Sequence, residues 1–205
     1  MTKKAAGAGA DASLQVCPYY NKPTQEGLFR HFSAIANAVD IPIIIYNIQG
    51  RTGINMETAT LARLAKEHSN IAGVKEASGN IAQMMDVIAT LPKNFTVLSG
   101  DDNLALPLMG LGGKGVISVA SNIIPKDMHE LTELALNGKF EDAQKLHYRL
   151  LPLFKGIFIE TNPIPIKAAL AMKGMIKENY RLPMCGMKAE NREKLKQILD
   201  SLKLL

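Results

Sequence analysis

Hydrophobic and polar positions divide the chain into two kinds of segment. Short apolar runs bounded by turn residues predict buried strands, and longer stretches with apolar residues three or four positions apart predict amphipathic helices. A strand followed by a helix, repeated along the chain, predicts right-handed βαβ units and a parallel sheet. From residue 126 onward the pattern is helical only. The predicted strands are residues 13–20, 41–47, 71–77, 95–102 and 115–121, and the helices between them are residues 24–39, 56–69, 80–91 and 102–112.

The number of predicted strands leaves two folds open. A (β/α)₈ barrel has eight strands and typically about 250 residues, whereas this chain has 205 residues and five predicted strands. It is therefore either an open, doubly wound sheet or a barrel without its first three units. The pattern alone slightly favours the open sheet, because that fold requires no missing part.

Composition and charge narrow the class of protein. Hydrophobic residues make up 47% and charged residues 21% of the chain, which is typical of a globular protein. No apolar run approaches the ~18 residues of a membrane span, and the N-terminus has no signal-peptide core, so we expect a soluble intracellular protein. The net charge of +5 is spread along the chain, which favours solvated helix faces over a nucleic-acid surface. Cys17 and Cys185 lack metal or redox spacing and the histidines are scattered, so we expect reduced thiols and no metal site.

Lys75 stands at the end of the apolar run "IAGVKEA", where a buried strand is predicted. In parallel α/β folds the substrate binds outside the carboxyl ends of the strands. Burial of an ammonium lowers its pKa, and a neutral lysine attacks carbonyl carbons to form a Schiff base. The alternative is a lysine whose stem lies along the strand while its ammonium reaches water.

Other residues that can react with a substrate, bind it or leave room for it lie at the strand ends or directly after them. Tyr46 ends the preceding strand, and its hydroxyl can relay protons to an adduct on the lysine. Tyr20 allows the same interpretation, although a ring in the core with a wet hydroxyl is an alternative for both. Arg51, in "GRTG", either binds a carboxylate with two hydrogen bonds or lies in a surface turn. Gly100 lets a substrate approach the backbone, and Asp102 suits a helix N-cap better than a cation site.

The motifs taken together resemble the dihydrodipicolinate synthase (4-hydroxy-tetrahydrodipicolinate synthase) family of pyruvate-dependent class I aldolases. They occur in family order and spacing and cover essentially the whole chain. The matching stretches are "CPYYNKPTQEGL", "YNIQGRTG", "GVKEASGN", "LSGDD", "GGKGVISV" and "NPIPIK". The resemblance implies a (β/α)₈ barrel with a C-terminal helical extension, in place of the open sheet. The predicted strands then become barrel strands four to eight, with residues 1–125 as the partial barrel and residues 126–205 as the last barrel helix and the extension.

The resemblance also implies roles for individual residues. Lys75 forms the Schiff base with pyruvate, and Tyr46 is the central proton relay. Tyr20 reaches the site of a neighbouring subunit across a dimer interface. Arg51 binds the carboxylate of aspartate 4-semialdehyde. The residues that line the pyruvate pocket are Gly100 and Ile117.

The family's reaction belongs to lysine and diaminopimelate biosynthesis. The resemblance implies a cytoplasmic lyase that forms a homo-oligomer, either a dimer or a tetramer. Its partners are pyruvate and aspartate 4-semialdehyde, and neither a nucleic acid nor a membrane is expected. The Schiff base supplies the electron sink, so we expect no cofactor and no metal.

This sequence departs from the family pattern in ways that leave other functions open. Gln49 replaces a common proline, which loosens the loop that carries Arg51. The family's paired-threonine motif, at the end of its second strand, helps to hold the pyruvate carboxylate, and it is not in this chain. One alternative is a truncated paralogue without catalysis. Another is a sister pyruvate aldolase of the neuraminate lyase type, although the arginine of "GRTG" favours a synthase.

Overall fold

The structure is a computed structural model that describes residues 1–205. The chain forms two compact units, Met1–Ile117 and Ser118–Leu205. All the strands lie in the first unit, and the second is helical. The boundary between residues 125 and 126 that the sequence suggests stays a prediction.

The first unit is built around a four-stranded parallel sheet. Each strand pairs with the next one along the chain, in the order β1-β2-β3-β4. A right-handed crossover between successive neighbours always places its helix on the same face, which is the arrangement of a (β/α) barrel. A doubly wound sheet reverses its strand order and carries helices on both faces, so the open-sheet alternative is wrong. The strands are β1 (Ser13–Val16), β2 (Ile43–Asn47), β3 (Ile71–Glu76) and β4 (Thr96–Ser99).

Four of the five predicted strands are present, and the fifth is not. In the segment predicted as the last strand, Val116 makes a single parallel bridge to Ser99, and residues Ala120–Asn122 form a turn of 3₁₀-helix. An apolar run signals burial, but a strand also requires a continuous ladder of backbone partners. The expectation of barrel strands four to eight is therefore corrected to four paired strands and one bridge.

The helices of the first unit follow the strands closely. Thr24 caps the helix that follows β1, because its Oγ1 accepts a hydrogen bond of 3.2 Å from Gly27 N. Asn80 caps the helix that follows β3 in the same way, through Ala82 N and Gln83 N. The helices are α1 (Thr2–Gly7), α2 (Gln25–Ala36), α3 (Gln49–Thr52), α4 (Thr58–Glu67), α5 (Ile81–Thr90) and α6 (Ala105–Gly110).

The core of the first unit lies between one face of the sheet and the helices. Strand residues that are at most 4% exposed, such as Ile45 and Val74, meet helix residues such as Phe32, Leu61 and Met84. Each such side chain contributes about 1.5–3 kcal/mol through its removal from water. This packing buries one face of the sheet against the helices.

The second unit is all helical, as the pattern after residue 126 predicts. Its first two helices pack against each other, and its last helix packs against the two before it. The helices are α7 (Pro125–Leu136), α8 (Phe140–Gly156), α9 (Ile164–Met172) and α10 (Ala189–Ser201). Nowhere in the structure is a helix both long enough and apolar enough to span a membrane.

Candidate active site

The register of β2 and β3 brings the two central candidates together. Tyr46 is paired with Lys75, and Asn47 is paired with Glu76. Because side chains alternate across a strand, the first pair shares one face of the sheet and the second pair lies on the other. Tyr46 and Lys75 are half-buried, whereas Asn47 and Glu76 are 0% and 1% exposed. The carboxyl ends of these two strands thus present two different polar pairs.

The amine of Lys75 lies against the ring of Tyr46. Its Nζ is 3.9 Å from the ring centroid. Burial lowers the pKa of Lys75 below the ordinary value, although the charges of Asp101 and Asp102 oppose the shift. The cation–π contact likewise favours the charged form. The net result is an amine that loses its proton more readily than one in open water, as a nucleophile requires.

The hydroxyl of Tyr46 stays protonated to high pH. Burial raises the pKa of Tyr46, Arg51 lowers it in part, and Asp101 raises it further. When an amine attacks a carbonyl carbon, a protonated phenol beside it can donate a proton to the carbonyl oxygen. The phenol can then take a proton back. Tyr46 therefore combines a ring in contact with the amine and a hydroxyl that keeps its proton.

Gly100 brings the end of β4 against the lysine. A Cβ at this position would lie 2.5 Å from the Cβ of Ala77 and 3.1 Å from Cε of Lys75, so no side chain fits here. The Gly100 N–H donates a hydrogen bond of 2.7 Å to the carbonyl of Glu76, which fixes the approach. Ile117 is anchored beside the same strand end, since its N–H donates to the Ser99 carbonyl at 2.8 Å.

Arg51 lies on α3 and is exposed to solvent. The loop that carries it is closed by Thr52, whose Oγ1 lies within hydrogen-bond distance of the carbonyl oxygens of Ile48, at 3.0 Å, and Ile54, at 2.9 Å. The next residue, Gly53, has a φ of 71°, a left-handed conformation that ends the short helix. The positive charge of Arg51 lowers the pKa of Tyr46 in part.

Tyr20 stands apart from the other candidates. Its side chain is 93% exposed, and its φ of 69° places a bulky residue in the left-handed region. Such a conformation is uncommon outside glycine and asparagine and costs on the order of 1–3 kcal/mol. Within this chain the ring projects into solvent and is not part of the Tyr46–Lys75 pair.

Three polar residues at these strand ends have no catalytic role in the interpretation of the sequence. Asn47 and Glu76 form a buried pair, and Asp101 acts electrostatically on both Tyr46 and Lys75. Burial raises the pKa of Asp101, and its neighbour Asp102 raises it further. Their position in the sequence could have indicated them, because Asn47 and Glu76 directly follow Tyr46 and Lys75, and Asp101 directly follows Gly100.

The structure corrects one expectation about the polar groups near the site. Asp102 is not an N-cap, because it forms the first residue of the 3₁₀ turn Asp102–Leu104, and no side chain caps that turn. No group of three or more His, Cys, Asp or Glu residues is arranged to hold a metal ion.

Cys17 and Cys185 are both free, and burial together with the charge of Glu76 raises the pKa of Cys17 to about 12. The Cys17 thiol is therefore a packing group without nucleophilic character.

Known proteins of similar sequence and structure point to one family. Residues 1–202 match the dihydrodipicolinate synthetase family. The 4-hydroxy-tetrahydrodipicolinate synthase of Hydrogenobaculum sp. (strain Y04AAS1) is 55% identical over 204 residues, which cover 100% of this chain and 70% of that protein.

Two solved structures extend this similarity to the fold. The dihydrodipicolinate synthase of Aquifex aeolicus is 49% identical with a TM-score of 0.98, and the match covers 99% of this chain and 69% of that one. The chloride-inhibited dihydrodipicolinate synthase of Acinetobacter baumannii, complexed with pyruvate, is 44% identical with a TM-score of 0.96, over 100% of this chain and 70% of that one.

Proposed function

Since the chain belongs to the dihydrodipicolinate synthetase family, we propose that it acts as a 4-hydroxy-tetrahydrodipicolinate synthase. This lyase condenses pyruvate with aspartate 4-semialdehyde in lysine and diaminopimelate biosynthesis. The observation that carries the proposal is the half-buried Lys75, whose pKa is lowered and whose Nζ lies 3.9 Å from the centre of the Tyr46 ring.

The first half of the reaction forms the Schiff base. The neutral amine of Lys75 attacks the ketone carbon of pyruvate, and the carbonyl electrons move to oxygen. Tyr46 delivers a proton to that oxygen and takes one from the nitrogen. Tyr46 then donates a proton to the hydroxyl, which leaves as water, and the iminium and the Tyr46 phenolate remain. Gly100 and Ile117 line the space that the pyruvate occupies.

The second half of the reaction makes the carbon–carbon bond. The iminium loses a methyl proton to the Tyr46 phenolate and becomes an enamine. The enamine carbon attacks the aldehyde of aspartate 4-semialdehyde while Arg51 binds the carboxylate of that substrate, and Tyr46 protonates the alkoxide that forms. The amine of the product then displaces Lys75 as the ring closes. The iminium itself is the electron sink, so the chemistry needs neither a metal nor an organic cofactor.

Tyr20 completes the relay of a neighbouring subunit in this proposal. Its ring is 93% exposed and so is accessible to a second chain. Its left-handed backbone is a strained conformation of the kind that occurs at functional sites. The active form is then a homo-oligomer, a dimer or a tetramer, in the cytoplasm. Sedimentation of the wild type and of Tyr20→Ala tests this arrangement, since loss of the anchoring ring favours the monomer.

Trapping with borohydride tests the central step. The protein is incubated with pyruvate and reduced, and its peptides are analysed by mass spectrometry. We expect a secondary amine on the peptide that contains Lys75, and no adduct in Lys75→Arg. A folded protein with unmodified Lys75 would contradict the proposal and would favour a chain without catalysis.

A panel of aldehydes tests the second substrate. The enamine on Lys75, formed without borohydride, should turn over with aspartate 4-semialdehyde, and this activity should be lost in Arg51→Ala, because the carboxylate then has no guanidinium partner. Faster turnover with an amino-sugar aldehyde would identify a sister aldolase of the neuraminate lyase type. Both outcomes leave the Lys75 adduct in place, so the two tests are independent.

A further inference from the structure

A buried polar pair lies directly behind the candidate active site. Asn47 follows Tyr46, Glu76 follows Lys75, and the two are register partners on the opposite face of the sheet. We propose that the Asn47–Glu76 pair is a positioning device that holds Tyr46 over Lys75 and ties the Arg51 loop to the same two strands. The inference rests on the proposed function for its catalytic meaning, but its geometric part is independent of it.

The carboxylate of Glu76 is held from several directions. It accepts hydrogen bonds from Asn47 Nδ2 at 3.1 Å, from the Ser78 N–H at 2.7 Å and from Gln83 Nε2 at 3.2 Å. A buried carboxylate without such donors costs several kcal/mol. Because these donors come from β2, from the turn after β3 and from α5, the position of Glu76 fixes all three relative to one another.

Asn47 connects the same pair to the loop that carries Arg51. Its Oδ1 accepts from the Met56 N–H at 3.0 Å, and its Nδ2 also donates to Asn55 Oδ1 at 2.8 Å. The chain leaves β2 at Asn47 and returns at Asn55, so one side chain holds both ends of the loop. The position of Arg51 relative to Tyr46 therefore depends on Asn47.

The pairing of β2 with β3 contains an irregularity before the candidate site. Ile43 pairs with Ile71, but Ile44 pairs with Gly73, so β3 contains one extra residue at its beginning. A slip of one residue moves every side chain of a strand to the other face, and would take Lys75 away from Tyr46. After the irregularity, the buried pair Ile45–Val74 and the Asn47–Glu76 hydrogen bonds hold the same register.

A spectroscopic measurement separates positioning from stability alone. Protons on Cε of Lys75 above the Tyr46 ring have an upfield NMR shift from the ring current, which protein with ¹³C-labelled lysine reveals and Lys75→Arg assigns. The test variants are Asn47→Ala and the nearly isosteric Glu76→Gln. The control is Asn70→Ala, which removes two hydrogen bonds of 2.9 and 2.8 Å to the carbonyls of Ala36 and Val39, just before β3 begins.

Positioning predicts that the upfield shift falls by at least half in the two test variants and stays in the control, with all three folded by circular dichroism. In the borohydride assay, the rate constant at saturating pyruvate falls about tenfold or more in the test variants, because small displacements of reacting groups are costly. The pyruvate concentration for half-saturation changes less than about threefold, since the pocket residues remain.

Two results would overturn the inference. One is an unchanged Lys75 shift in folded Glu76→Gln or Asn47→Ala. The other is an equal loss in Asn70→Ala, which would mean that any destabilisation of the sheet has the same effect. A wild type that shows the ring-current shift but traps no pyruvate would instead contradict the proposed function, and the effect of the variants on the shift would still decide the positioning role.

Discussion

The two faces of β2 and β3 treat neighbouring polar residues in opposite ways. On one face, Tyr46 and Lys75 are half-buried and touch each other through a cation–π contact. On the other face, Asn47 and Glu76 are almost wholly buried and joined by hydrogen bonds. The two environments belong to consecutive residues on each strand.

The difference shows how one sheet supplies both reactivity and rigidity. On the half-buried face, burial lowers the pKa of Lys75 and raises the pKa of Tyr46, because the charged form of each group loses hydration there. The buried face compensates its carboxylate with amide donors, and such a network determines geometry. The two candidate catalytic groups therefore stand on a surface whose reverse side is held by hydrogen bonds.

The largest expected effect is on the half-buried face. Tyr46→Phe removes the hydroxyl but keeps the ring over Lys75, so the fold stays and the proton relay is lost. We expect the rate of pyruvate trapping to fall about 10²–10⁴-fold, as for the loss of a positioned acid–base group. Tyr148→Phe, at a tyrosine that is 62% exposed, is the control and should trap within twofold of the wild type. A Tyr46→Phe rate close to the wild type would assign the relay to another group.

The next effect belongs to the buried face and concerns stability. Glu76→Leu leaves three amide donors without their carboxylate, and we expect the free energy of unfolding to fall by about 3 kcal/mol. Glu67→Leu is the matched control on the surface, where the carboxylate pairs with Arg63 at 3.2 Å and contributes about 0–1 kcal/mol. Urea unfolding followed by circular dichroism measures both, because the chain contains no tryptophan. Equal losses in the two variants would show that the buried network adds nothing.

A smaller effect is expected where β4 approaches the lysine. Gly100→Ala places a methyl group 2.5 Å from the Cβ of Ala77, and we expect a loss of about 1–3 kcal/mol from overpacking. Gly50→Ala is the control, because nothing lies within 4 Å of a Cβ there and alanine favours the helix by up to ~1 kcal/mol. Thermal unfolding of both proteins checks the prediction. A Gly100→Ala protein as stable as the wild type would mean that Ala77 and Lys75 move aside freely.

The smallest effect is a pH dependence that links the half-buried lysine to folding. The pKa of Lys75 is lowered in the folded chain relative to 10.5, so between the two values the unfolded chain binds more protons. Stability therefore increases with pH across that window, and below it the burial of the ammonium opposes folding in full. The difference in unfolding free energy between the wild type and Lys75→Met should rise as the pH approaches 10.5. A difference that stays flat would show that the amine titrates as it does in the unfolded chain.

Periodicity predicted most of the fold because burial leaves a local record. Four of the predicted strands and the helices after them follow directly from apolar runs and from caps such as Thr24. The segment around Val116 has the same apolar character but makes one bridge, because pairing depends on a partner elsewhere in the chain. The first strand ends at Val16, earlier than the apolar pattern suggests, and Pro18 has no backbone N–H with which to continue the ladder.

The sequence by itself determined which chemical groups stand at the ends of the parallel strands, since motif order and strand position name Lys75, Tyr46, Arg51 and Gly100. Only the tertiary structure decided which of these groups meet. The register of β2 against β3 sets the 3.9 Å between the amine and the ring, and burial sets the direction of their pKa shifts. It also decided that Asn47 and Glu76 are partners, because a polar residue in an apolar strand gives no sign of the donor that it will meet. Distances between strands depend on contacts remote in sequence, and for that reason the pattern of one strand cannot contain them.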